Sequence, residues 1–223
     1  MYLDIDTMGL FLFVSAIKNK SPVEIATVIK SYLIHKNVIA DVKSFSQWRT
    51  SRQNTGIDMH DIITLPISMT SIYSPRNRWS VVIYNDCHFE EKKINKFLSV
   101  QLQTLISLIE VYDSDVWYHY LYYNGNQVDQ FCSYPQEYEK KEDWDLLKGN
   151  AKKVAFYFDV EEQTIEPYLF QFSSENRINY QRKKAHMDDE YPLGNEWVFI
   201  DFWKRLGVNY PSDVPEVVII HEK

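Results

Sequence analysis

Glycine is scarce, at 6 of 223 residues, and the six stand singly along the chain. Nucleotide sites built on backbone amides need clustered glycines, so Gly-x-Gly-x-x-Gly and Walker loops are excluded. The Gly-x-Ser-x-Gly turn that exposes a nucleophilic serine is missing too. Only two cysteines occur, Cys87 and Cys132, too few for a disulfide framework, so reduced thiols are expected. No His-Glu-x-x-His or paired Cys-x-x-Cys spacing is present, and neither a metal nor another cofactor is expected. No apolar run reaches the roughly 18 to 20 residues of a membrane span. The apolar segment Gly9–Ile17 follows Asp4 and Asp6 rather than a basic region and lacks a small-residue cleavage site. These absences predict a cytoplasmic protein with no membrane partner, whose start is either Met1 or Met8.

Basic charge is also in short supply. The net charge is −7, which disfavours the phosphate neutralisation that nucleic-acid binding uses and suits a basic protein partner instead. What the chain does have is apolar and aromatic substance: 45% hydrophobic residues, with 16 Tyr, 12 Phe and 6 Trp. Disordered chains show the opposite balance. A folded globular protein follows.

Gly9–Ile17 is short, β-rich and apolar, and reads as a buried strand. Ser21-Pro22-Val23-Glu24 opens a helix with an N-cap, a proline at the first helical position and a capping-box glutamate. The apolar stripe runs to about Lys36, and a second strand is expected over Val38–Phe45. Ser46–Asn77 is the least regular stretch, with one short strand expected at Ile62–Ile67; a loop this long is usually functional or mobile. Trp79–Tyr84, Phe89–Gln103 and Leu105–Tyr112 repeat the strand–helix–strand plan. Val116–Tyr123, the turn pair Asn124-Gly125 and Gln127–Ser133 form a hairpin, stopped by Pro135. Beyond it, helices are expected over Ala151–Val160, Glu162–Phe172 (broken at Pro167) and Asn195–Leu206, the last ended by Gly207. Ser173–Asp189 reads as a solvated linker, and Val217–Ile220 as an edge strand. The predicted fold is α+β: a ferredoxin-like βαββαβ sandwich over 1–135, with long loop 46–77, extended by a β-hairpin meander. A helical C-terminal region, 136–223, packs on it and carries a flexible loop at 173–190.

Alternation places Val116, Tyr118, Tyr120 and Tyr122 on one side of the sheet and Trp117, His119, Leu121 and Tyr123 on the other. One side should pack on the two helices, leaving the other partly open or covered by the C-terminal helices. Ordinary core packing explains most such aromatics. The functional alternative is a protein- or ligand-binding face formed by Trp117, His119 and Tyr123, with Asp113, Asp115 and Asp129 near its rim. An RNA-stacking face is disfavoured by the acidic surroundings and the missing Lys/Arg-Gly-aromatic signature. Asp113-Ser114-Asp115 lacks the spacing of a calcium loop and reads as a turn. Cys132 and His119 lie on paired strands and could come close, but a Cys–His nucleophile also needs a pocket and an orienting group, so both thiols are expected to be inert. A second candidate site combines His60, Asp58 and Asp61 in the first loop with His186, beside Asp188, Asp189 and Glu190, in the second.

Leu98-Ser99, Leu102, Tyr112–Asp115, Tyr120–Tyr122, Gly125, Val128-Asp129, Phe131 and Pro135 carry a resemblance. Over about residues 79–135 the chain resembles an unnamed family of uncharacterised bacterial proteins. The resemblance implies a bacterial source and brings no catalytic residue. Together these features predict a non-enzymatic protein-interaction module, immunity-like or regulatory in kind. The alternative is a small-molecule-binding protein or enzyme with a site between the sheet and the loops 46–77 and 173–190.

Overall fold

The computed structural model describes residues 10–53, 68–85 and 90–222. Its centre is an eight-stranded, wholly antiparallel open sheet. The strands are β1 (Leu12–Lys18), β2 (Ile39–Ser44), β3 (Ser68–Arg76), β4 (Trp79–Tyr84), β5 (Leu105–Tyr112), β6 (Val116–Tyr123), β7 (Asn126–Cys132) and β8 (Val217–Glu222). They lie side by side in the order β2-β8-β3-β4-β1-β5-β6-β7.

Two helices cover one face. In α1 (Pro22–His35) the capping box forms, with Ser21 Oγ accepting from Glu24 N–H while the Glu24 carboxylate accepts from Ser21 N–H. Its Ile25, Ala26, Ile29 and Leu33 are buried at helical spacing. Beside it lies α3 (Glu91–Gln101), which buries Ile94, Asn95, Leu98 and Ser99. The opposite face is covered from the C-terminal half of the chain. There α5 (Ala151–Phe158) stacks Phe158 on Trp79, and α8 (Val198–Arg205) buries Val198, Phe199, Phe202 and Trp203. Both faces of β6 are therefore sealed, and Val116 to Tyr122 are buried without exception.

Several expectations need correction. The strand after α1, β2, is not the neighbour of β4 that the expected βαββαβ unit requires: β8 and β3 stand between them. The supposedly irregular stretch 46–77 holds α2 (Phe45–Gln53) at its start and β3 at its end. β3 escapes notice because two of its three buried residues, Thr70 and Ser71, are polar, with only Ile72 apolar, and because it contains Pro75. That proline sits where the β3–β4 register shifts, a place a residue without an N–H tolerates. β8 is an interior strand, bonded to both β2 and β3, so the C-terminal region is not purely helical. The expected strand at Ile62–Ile67, Gly9 and both possible starts lie outside the described residues.

The polar stretch 173–190 is pinned rather than free. After the one-turn α4 (Pro135–Tyr138) and α6 (Glu162–Ile165), α7 (Arg177–Tyr180) stacks Tyr180 on Phe170 at 4.1 Å. Arg205 then holds Asp188 and Asp189, each at 2.6 Å. Three hairpins turn through paired left-handed residues: Asn77-Arg78, Asp113-Ser114 and Asn124-Gly125. Such pairs match the right-handed twist of the strands.

Candidate functional site

The register decides which of the expected site residues meet. Tyr118 pairs with Cys132 and His119 with Phe131, so Cys132 and His119 face opposite sides of the sheet and cannot act together. Burial pushes the Cys132 thiol up to about 12. His119 is fully buried between β6 and α8, with its ring 5.0 Å from that of Phe202. Its Nε2 lies 3.0 Å from Ser107 Oγ, which also accepts from Trp203 Nε1–H at 2.9 Å. Burial pulls the imidazole down to about 3, so it stays neutral. Trp117 is buried between Phe131 and Phe202. The expected open binding face is thus closed at its centre, because α8 supplies the aromatic side chains that cover it.

Asp129 is buried as well. It accepts the Asn150 N–H at the start of α5, and burial raises its carboxyl to about 6 against the pull of that bond and of Lys153. Of the second candidate site only His186 falls within the described residues. His60, Asp58 and Asp61 lie outside them. His186 is a tie: its Nε2 is 3.0 Å from the Thr164 carbonyl and its backbone N–H donates to Asp189 Oδ2 at 2.8 Å.

The remaining residues sit at opposite ends of β6, about 23 Å apart for seven steps of extended chain. At the first end stand Asp113 and Asp115. The end of β7 returns beside the start of β6, so α4 is brought against the β5–β6 turn. Tyr138 is 38% exposed there, with its hydroxyl 3.5 Å from Asp115 Oδ2. Burial first, and then the Asp115 and Asp113 carboxylates, raise its pKa. Phe11, 49% exposed, leans edge-on against Tyr112. Glu137, preceding Tyr138 in α4, is exposed. Arg177 pairs with Asp115 and lies 5.0 Å over the Tyr134 ring. Leu10 locks the turn by donating to Ser114 Oγ at 2.7 Å and accepting from Ser114 N–H. Tyr138 is thus held beside carboxylates on a pinned backbone, with the Phe11 ring exposed against Tyr112.

At the second end Tyr123 meets Tyr157 at 5.6 Å, and Tyr157 meets the exposed ring of Phe156. Exposed Val100 lies alongside, and Lys96, Lys152 and Lys153 flank this patch at helical spacing. The charge here is the reverse of that expected around Tyr123.

Two further places carry polar chemistry. Under α3, the buried Glu110 carboxylate meets Lys92 at 3.5 Å and Tyr112 OH at 3.3 Å; burial raises its pKa while Lys92 pulls it down. Between the β3–β4 hairpin and residues 209–214 lies a cleft of about 320 Å³. Tyr73, Trp79 and Val81 line it, with the Arg76–Asp213 ion pair at its mouth. Among the described residues no His, Cys, Asp and Glu side chains group as metal ligands, and no helix is long and apolar enough to cross a membrane. No family model, curated protein or solved structure matches the chain.

Sequence reasoning missed Tyr138, Phe11 and Arg177. For Tyr138 a signal existed: a hairpin must return its second strand beside the start of the first, so residues just past 133 belong near 113–116.

Proposed function

We propose that this chain is a non-enzymatic protein-interaction module whose contact surface is the acidic aromatic end at the β5–β6 turn. The observation that carries the reading is the exposed ring of Tyr138 beside Asp115 and Asp113, at the turn whose Tyr112 the exposed Phe11 ring touches, on a protein of net charge −7. Aromatic anchors give affinity, and a surrounding field of one sign steers a partner of the other. The partner is a basic protein, not a nucleic acid. Anchoring of Asp115 by Arg177 and of Ser114 by Leu10 keeps the surface pre-formed, which lowers the ordering cost of binding. In a bacterium, the source implied by the resemblance over 79–135, the role is immunity-like or regulatory, in the cytoplasm.

The order β3-β4-β1-β5, with α1 and α3 on one face, supports reading the sheet's centre as a ferredoxin-like βαββαβ sandwich. β2 with α2 is then an insertion, and β6 and β7 are the added meander.

The test is affinity capture with wild type and with an Asp113→Asn/Tyr138→Ala variant. The expected result is a basic protein retained by wild type, weakened by salt and lost with the variant. Equal retention by both overturns the reading. The cleft between the β3–β4 hairpin and residues 209–214, with Tyr73, Arg76 and Asp213 in its lining, supports a second reading, the binding of a small ligand.

A further inference from the structure

The two edges of the sheet are treated differently. Beside β7 the chain folds back: Cys132 N–H donates to the Leu147 carbonyl at 2.9 Å and Phe131 bridges to Lys148. Along β2, no strand pairs with the outer edge among the described residues. An open edge presents N–H and C=O groups ready to extend the sheet.

Which groups point outward follows from two bonds. Phe45 N–H donates to Glu216 O at 3.0 Å, while Ser44 N–H turns away and donates to Gln47 Oε1 at 3.1 Å. By alternation, Val42 and Ala40 share the outward direction of Ser44, and Asp41 and Lys43 bond toward β8. The edge contains no proline and no bulge within Ile39–Ser44, and Ile39 is 74% exposed. Its charges are one acid and one base two residues apart, Asp41 and Lys43, at present paired with each other at 3.1 Å.

We propose that the β2 edge is an interface for a second copy of this chain, paired antiparallel about a two-fold axis at Val42. In that register Val42 faces Val42 of the second copy and the two exchange backbone hydrogen bonds. Ala40 faces Ser44, whose N–H leaves Gln47 to join the ladder. Asp41 falls opposite Lys43, twice by symmetry, in the pairs whose side chains approach most closely. A lone lysine on an edge strand ordinarily blocks pairing. Here the self-pairing register neutralises it, and other registers set like charges together or leave both charges unpaired. The charge pattern therefore selects this chain as its own partner. The result is an isologous dimer with a continuous sheet of twice eight strands.

A contact of one short strand is smaller than the roughly 1,200 Å² of a stable interface, so a weak, concentration-dependent dimer is expected. This proposal is independent of the acidic surface at the β5–β6 turn. The test is sedimentation velocity of the full chain from about 5 to 500 µM, with circular dichroism confirming that each variant folds. Wild type is expected to move from 26.6 kDa toward twice that mass as concentration rises. Asp41→Lys places lysine against lysine at both symmetric pairs and is expected to raise the dissociation constant about tenfold or more. Adding Lys43→Asp restores the opposite-charge pairs and should return affinity close to wild type. Monomer throughout the range overturns the proposal, as does a dimer that Asp41→Lys leaves unchanged.

Discussion

Ser107→Ala tests what joins the C-terminal helices to the sheet. Ser107, His119 and Trp203 are all fully buried, and the serine hydroxyl is the common partner of the other two. Removing one oxygen leaves almost no cavity, so lost packing contributes little. The cost comes from the Trp203 N–H and the His119 ring nitrogen, which stay buried and lose their partner. Each such group costs about 1–3 kcal/mol, giving about 2–6 kcal/mol for the pair. At roughly 2–4 °C per kcal/mol for a chain of this size, the midpoint should fall by about 4–24 °C. Urea unfolding followed by tryptophan fluorescence measures the free energy directly. A double-mutant cycle with Trp203→Phe separates the contributions, since phenylalanine removes the N–H that Ser107 satisfies. Ser107→Ala should cost less in that background by about 1 kcal/mol or more. A Ser107→Ala cost under about 0.5 kcal/mol, or strict additivity in the cycle, would refute the argument that this hydroxyl is what satisfies the two side chains.

Other outcomes follow from single positions. Gly125 has φ +76°, and an added Cβ would stand 2.6 Å from Val100 Cγ2, so Gly125→Ala should cost about 2 kcal/mol or more in urea, with part recovered by Val100→Ala. The Asp129 carboxyl titrates near 6 in the folded protein against an ordinary 3.8, so the folded state holds its proton more tightly and stability is lost as pH rises from about 4 to 6. Asp129→Asn should therefore match wild type near pH 4 and exceed it by about 2 kcal/mol near pH 7.5 in pH-resolved unfolding; an equal margin at both pH values would contradict this. Arg205→Ala leaves the Asp189 carboxylate, 1% exposed, without its ion-pair partner, and should cost about 2–3 kcal/mol and speed proteolytic cleavage within 183–190.

Local signals in the sequence were readable where neighbouring residues decide the outcome. The Ser21–Glu24 capping box and the Asn124-Gly125 turn behave as their chemistry dictates. The Asn77-Arg78 turn adopts the same paired left-handed geometry, but arginine gives no hint of it, because the surrounding ladder of β3 and β4 imposes the conformation. Partners distant in sequence were not legible. Nothing in Val217–Ile220 says that it enters the sheet between β2 and β3 rather than at an edge, since an interior and an edge strand can carry the same apolar residues. The same limit governed the candidate site. Alternation correctly separated Trp117 and His119 from Tyr118 and Tyr120, but it could not show that α8 would bury the first pair. The polar run 173–190 looked solvated because its anchors, Phe170 and Arg205, belong to other segments.

The position of β8 has a consequence for how the protein is made. Of all the strands described it is the last to be synthesised, yet β2 has no other strand to lie against among the described residues. Until β8 emerges, Ile39–Ser44 cannot be held flat or present an ordered edge. A growing chain on the ribosome therefore offers neighbouring copies no rigid template at this point. On the proposed two-fold pairing at Val42, the edge can form its ladder only after β8 has taken its place beside β2.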